Sequence, residues 1–187
     1  MSETAKRAMP PDEFEELARQ LRQGGAGREM RAEAQEDEEL TELRRRRHQH
    51  LADVARTALH RGDRVTVTAG GLTLTHPIVA VGADYVSLQS EDALIDVSLE
   101  VAVVTVEPRP AGGMRAGTPG SATFRARLAE HEGQRALVVT IEGRQIDGRL
   151  EVAATDHIAV TDDAGVTSYV PVTVVAALIT RIPPRRG

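Results

Sequence analysis

One feature constrains this chain more than any other. A block of alternating polarity between Arg64 and Val106 returns 72 residues later with its landmarks in order. Val65 and Val67 match Leu137 and Val139, Gly71 matches Gly143, and Ile78 matches Leu150. Asp84–Leu88 matches Asp156–Val160, and after one inserted residue Val97–Val101 matches Val170–Val174. Self-similarity at a fixed spacing means one supersecondary unit used twice, so whatever the first block folds into, the second should repeat.

Each block reads as short strands. Val65, Val67 and Ala69 alternate with Arg64, Thr66 and Thr68, the period of a strand with one buried face. Gly70-Gly71 marks a tight hairpin. Leu72, Leu74 and Ile78–Val81 make a longer second strand, in which Pro77 implies a bend or an edge because it has no N–H to pair. Turns at Gly82–Asp84 and Ser90–Asp92 lead into two further strands, and Val101–Val106 closes a set of five. A helix precedes each set, the first ending before Arg61 and the second running over Ala122–His131.

Composition divides the rest of the chain. Residues 1–50 form a charged helical arm, partly flexible, in which Phe14, Leu17, Ala18 and Leu21 mark one face of a short helix. A second helix is expected from about Met30 to His60, with an apolar stripe continuous only from Leu51 onward. The strand units occupy 51–107 and 122–182, joined by a Pro/Gly-rich linker over 108–121 and followed by a tail at 183–187.

The stretch Leu137–Leu150 resembles the first signature of the Sm-like (LSm) proteins, in which an alternating strand is followed by glycine, an apolar residue, a second glycine and a further apolar residue. Gly143 and Gly148 stand at the glycine positions, and Asp156 opens the third strand. The first block is a looser match, with Gly71 kept and His76 in place of the second glycine. The resemblance is to the tandem, divergent members of GC-rich bacteria, and the coding bias agrees, since only Lys6 of the 23 basic residues is lysine. It implies a mainly β protein with an α-helical N-terminal arm and two tandem five-stranded small barrels, each preceded by a helix. Such units should dock on each other, or on a second chain, through their fourth and fifth strands. The uridine-binding residues of RNA-binding Sm-like proteins, an Asn after the third strand opens and an Arg-Gly pair in the fifth, have no counterpart here.

Chemistry is sparse. The chain has no Cys, which excludes disulfides, thiol nucleophiles and thiolate metal sites. Nucleophile elbows, phosphate-cradling glycine loops and His-Glu-x-x-His helices are missing from the sequence, and no enzymatic activity, metal or cofactor is expected. His48, His50 and His60 do not share a helix face. The densest cationic run is Arg44, Arg45, Arg46 and Arg47, which with Leu40 and Leu43 forms a candidate contact face for a protein partner or for nucleic acid. Tyr85 and His157 occupy equivalent places and are candidate contacts at the barrel mouths. A net charge of −5 and a shortage of aromatic platforms favour protein over nucleic acid as the partner. The expectation is a cytoplasmic, non-enzymatic interaction or regulatory module that binds a protein or self-associates and has no membrane partner. The alternative is a nucleic-acid-binding regulator that uses Arg44–Arg47.

Overall fold

The computed structural model describes residues 49–109, 117 and 120–182, together with Glu38, Leu40, Thr41, Leu43 and Arg47. The chain divides into two compact units, Met1–Gln49 and His50–Gly187. In the first unit Glu38, Leu40, Thr41, Leu43 and Arg47 are helical and exposed. The short helix expected around Phe14–Leu21 and the tail at 183–187 lie outside the described residues.

The expected helix from Met30 to His60 is interrupted. Gln49 and His50 are not helical, and His50 is extended at φ −78° and ψ 155°. The helix α1 begins afresh at Leu51 and runs to Arg61. The Asp53 carboxylate accepts a hydrogen bond from the His50 N–H at 3.2 Å and ties the entry turn. Gly62 ends the helix in the left-handed region (φ 68°), where its N–H and that of Asp63 reach the Leu59 and Ala58 carbonyls. Ala52, Ala55, Ala58 and Leu59 are buried along one face, the stripe that the sequence shows from Leu51 onward.

The first strand set comprises β1 (Arg64–Ala69), β2 (Leu72–Leu74), β3 (Ile78–Val81), β4 (Tyr85–Gln89), β5 (Ala93–Ser98) and β6 (Val103–Glu107). The single long second strand read from the sequence is broken at Thr75-His76-Pro77, because proline cannot continue a ladder on its N–H side. A short helix α2 (Phe124–Ala129), capped by the Thr123 hydroxyl, leads into the second set. That set is β7 (Arg135–Thr140), β8 (Gln145–Ala153), β9 (His157–Thr161), β10 (Thr167–Pro171) and β11 (Val175–Arg181), with a 3₁₀ turn at Val172–Val174. Here the second strand is continuous. Gly148 permits it, since a Cβ there would meet the Thr161 carbonyl oxygen at 2.5 Å.

The two sets share their pairing registers. Val65 faces Val106 as Leu137 faces Ile179. Tyr85 faces Ser98 as His157 faces Pro171. A register shift between Ile78 and Ala80 is matched by one between Leu150 and Val152.

The expected pair of closed five-stranded barrels, each led by a helix, is not what forms. The described strands lie in a three-stranded sheet ordered β2-β1-β6 and an eight-stranded sheet ordered β10-β9-β8-β7-β11-β5-β4-β3, both antiparallel and neither closed. Two physical causes produce this. The break at Pro77 sends β2 and β3 to different sheets. The last strand of the second set, β11, uses one side for β7 and the other for β5, with Ile179 facing Ile95 and Ala177 facing Val97. Five strands of one set and three of the other thereby become one sheet.

The cores are exchanged along with the strands. Val139, Ala176 and Ala177 of the second set pack in the core formed by α1 and the first set. Tyr85 of the first set packs with Phe124, Leu128 and Leu150 in the core of the second. Where described, the linker follows the same surface: Gly117 lies against Leu59, and the Tyr85 hydroxyl donates to the Ser121 carbonyl at 3.1 Å.

Candidate interaction surface

Four strands end the two sheets, and they are not alike. β2 is only three residues long. β3 is a four-residue strand packed against α1. β6 and β10 are five residues each and have one unpaired side. Edge strands of natural proteins are usually blunted by charge, because a row of free N–H and C=O groups recruits another strand. β10 reads Thr-Ser-Tyr-Val-Pro with no charge, and β6 reads Val-Val-Thr-Val-Glu with its only charge at the end. Val103 on β6 is 65% exposed and Tyr169 on β10 is 70% exposed, with Val166 bare beside it. A cavity of about 320 Å³ opens along β10, lined by Thr140, Ile141, Arg144, Ile146, Ser168 and Val170. His157 flanks this edge, its ring 5.6 Å from that of Tyr169 in a near-perpendicular contact. Its Nδ1 lies 2.7 Å from Asp156, whose carboxyl it draws below the ordinary range.

The β5–β11 junction shows what such an edge becomes when it is covered. On the outer face of β5 the Asp96 carboxylate is completely buried. It accepts from the Ser87 hydroxyl, from Arg127 Nε at 3.0 Å and from His131 Nε2 at 2.8 Å. Burial alone would lower the Arg127 pKa, but Asp96 and Glu130 more than offset it, so the guanidinium is held charged above its ordinary value. Glu130 closes the cluster by accepting from Arg127 and the Ser121 hydroxyl. No buried side-chain nitrogen or oxygen among the described residues lacks a partner.

Ser87, Asp96 and His131 contain the residue types of a hydrolytic triad without its geometry. Ser87 and His131 both bond to the carboxylate rather than serine to histidine, so the imidazole is not placed to take the serine proton. All three are buried. The arrangement is a clamp: Arg127 on α2 and His131 just beyond its end grip the Asp96 carboxylate of the first set.

The residues singled out from the sequence fall apart on this structure. Leu40, Leu43 and Arg47 are helical and exposed in the first unit, while Arg44, Arg45 and Arg46 lie outside the described residues. Tyr85 is fully buried and bonded through its hydroxyl, which makes it a core residue and corrects its assignment to a contact surface. His157 does lie at a surface, beside Tyr169 rather than at the mouth of a barrel. Sequence reasoning missed Val103 and Tyr169, although the uncharged stretches around them are visible once those strands are recognised as edges. It also missed Asp96, whose partners are 31 and 35 residues away. Among the described residues no cluster of acidic and histidine side chains could hold a metal ion, and no helix is long and apolar enough to cross a membrane.

No family model matches the sequence, and no characterised protein matches it.

Proposed function

We propose that this protein is a non-catalytic interaction or regulatory module of the cytoplasm. It captures a protein partner, or further copies of itself, by adding strands to the bare edges of β6 and β10. The exposed Leu40, Leu43 and Arg47 of the N-terminal arm offer a second contact. Kinship with the Sm-like proteins belongs to the same proposal and rests on the strand–Gly143–Gly148 pattern of β7 and β8.

The observation that carries the reading is the β5–β11 pair. The chain already joins two strand sets by edge pairing, and it leaves two further edges exposed with no charge but Glu107 at the end of β6. Strand addition supplies affinity through main-chain hydrogen bonds and specificity through alternate side chains, and it needs no pocket.

The test is affinity capture from native lysate, with and without nuclease, for the natural chain and for Val103→Lys and Tyr169→Lys. Capture of a protein that survives nuclease and is lost in both variants supports the proposal. Capture that vanishes with nuclease and ignores both variants overturns it in favour of nucleic-acid binding through Arg44–Arg47.

A further inference from the structure

A cavity of about 280 Å³ lies at the break between β2 and β3. Its walls carry Arg64 from the start of β1, His76 from the break itself and Arg109 from just beyond β6. Three nitrogen-bearing side chains from separate parts of the chain thus meet at one opening, in a protein whose net charge is −5. We infer that this cavity binds a phosphate dianion, free or at the end of a small organic molecule, through Arg64, His76 and Arg109. The inference is independent of the strand edges and goes beyond the interaction reading above.

The neighbouring acidic groups leave these donors available. Asp63 is the one carboxylate in the described wall, and its side chain is only 4% exposed. It is already engaged by Arg61 Nε at 3.3 Å and by the Arg109 backbone N–H at 3.0 Å. The second of these bonds holds Arg109 at the cavity while its guanidinium has no ion pair among the described residues. Arg64 meets Glu107 only at 4.0 Å, with both side chains mostly exposed, a contact worth little in water. The linker after Arg109 adds Arg115 and has no acidic residue. The end of α1 borders the cavity at Gly62, but its Ala58 and Leu59 carbonyls already accept from the Gly62 and Asp63 N–H groups.

The second set has the corresponding cavity with its anion built in. At the spacing of 72 residues, Asp63–Val65 and Thr75 correspond to Arg135–Leu137 and Asp147, which line a cavity of about 270 Å³. There the Asp147 carboxylate lies against Arg135, accepting from Nε at 3.2 Å and from Nη2 at 3.1 Å. Asp163 accepts from the same guanidinium at 2.7 and 2.9 Å. In the first set Thr75 takes the place of Asp147, and its hydroxyl is bonded to that of Thr66. Glu91, the counterpart of Asp163, makes no ion pair with Arg64 or Arg109. The first cavity keeps basic groups and lacks the carboxylate that would meet them, so the balancing anion comes from solution. Guanidinium matches phosphate with two N–H groups on two oxygens, and a dianion takes more such donors than a carboxylate does. A volume just under the range for drug-sized ligands admits a phosphate with a short organic stem.

The experiment follows the melting temperature of the full chain in inorganic phosphate, glycerol 3-phosphate and dimethyl phosphate, each against sodium chloride of equal ionic strength. At about ten times the apparent Kd, the two dianions should raise it by about 3–6 °C over chloride. Tighter binding of glycerol 3-phosphate assigns the site to an ester, and tighter binding of inorganic phosphate assigns it to the free ion. Dimethyl phosphate, a singly charged stand-in for a nucleic-acid backbone, should do no more than chloride. Arg64→Gln and Arg109→Gln should each weaken binding about ten-fold or more, as loss of a charged hydrogen bond implies, with unchanged circular dichroism spectra. Arg181→Gln, in the wall of the second cavity, should bind as the natural chain does. The inference is overturned if neither dianion exceeds chloride, if the rise survives both substitutions, or if dimethyl phosphate matches glycerol 3-phosphate.

Discussion

At the residue scale, Asp96 and Gly70 decide how the two strand sets hold together. Asp96 is a buried carboxylate that anchors Arg127 and His131, so removing it strands a mostly buried guanidinium. Breaking a buried pair from one side costs about 3–5 kcal/mol. We expect Asp96→Ala to destabilise by that amount in urea unfolding; a loss under about 1 kcal/mol would place the pair among surface bridges. Glu130 is held below 4.5, its ordinary value, first by the Ser121 hydroxyl and then, against the opposing effect of burial, by Arg127. A depressed carboxyl contributes stability that is present above its unfolded value and lost as pH falls through its folded one. The stability gap between the natural chain and Glu130→Gln should therefore be full above the ordinary carboxyl value and narrow as pH falls through the lowered folded one. The gap should be small, because this side chain is half exposed. Gly70 and Gly71 form a matched comparison. Both have positive φ, +55° and +77°, but a Cβ at Gly70 would meet the Thr140 carbonyl oxygen at 2.5 Å, while one at Gly71 meets nothing within 4 Å. Gly71→Ala should cost the backbone penalty alone, about 1–2 kcal/mol. Gly70→Ala should cost clearly more, and equal melting points for the two would show that the close approach is unimportant.

At the element scale, much of the strand inventory was legible in the sequence. The alternation of Val65, Val67 and Ala69 gave the buried face of β1, and Gly70-Gly71 gave its hairpin. Two elements differ for local reasons. Pro77 breaks the second strand where the reading allowed a bend, and the helix expected from Met30 to His60 restarts at Leu51 because Asp53 and His50 form a new N-terminus there. That restart coincides with the division between the two compact units. Removing residues 1–49 should leave the melting temperature of the remainder within a few degrees, since no strand and no helix of the second unit is lost; loss of a cooperative transition would show that the arm belongs to the core. The central element is β11, paired on both sides and buried at Val175–Leu178. Leu178→Ala should cost about 2–5 kcal/mol, the range for a large-to-small change in a packed core.

At the scale of the whole molecule, the eight-stranded sheet and the exchanged core residues make the two strand sets one cooperative body. Calorimetry should show one transition for residues 50–187, and two resolved transitions would mean that the sets unfold separately. The sequence by itself determined what depends on neighbours close along the chain: alternation, turns, the recurrence at 72 residues and the lack of catalytic motifs. Only the tertiary structure decided which edges meet. Backbone N–H and C=O groups are the same at every residue but proline, so nothing in the side-chain pattern says that β5 pairs with β11 while β6 and β10 stay bare. For the same reason Tyr85 and His157 looked alike as candidate contacts and separated only in three dimensions, one sealed under Phe124 and Ser121, the other at the surface beside Tyr169.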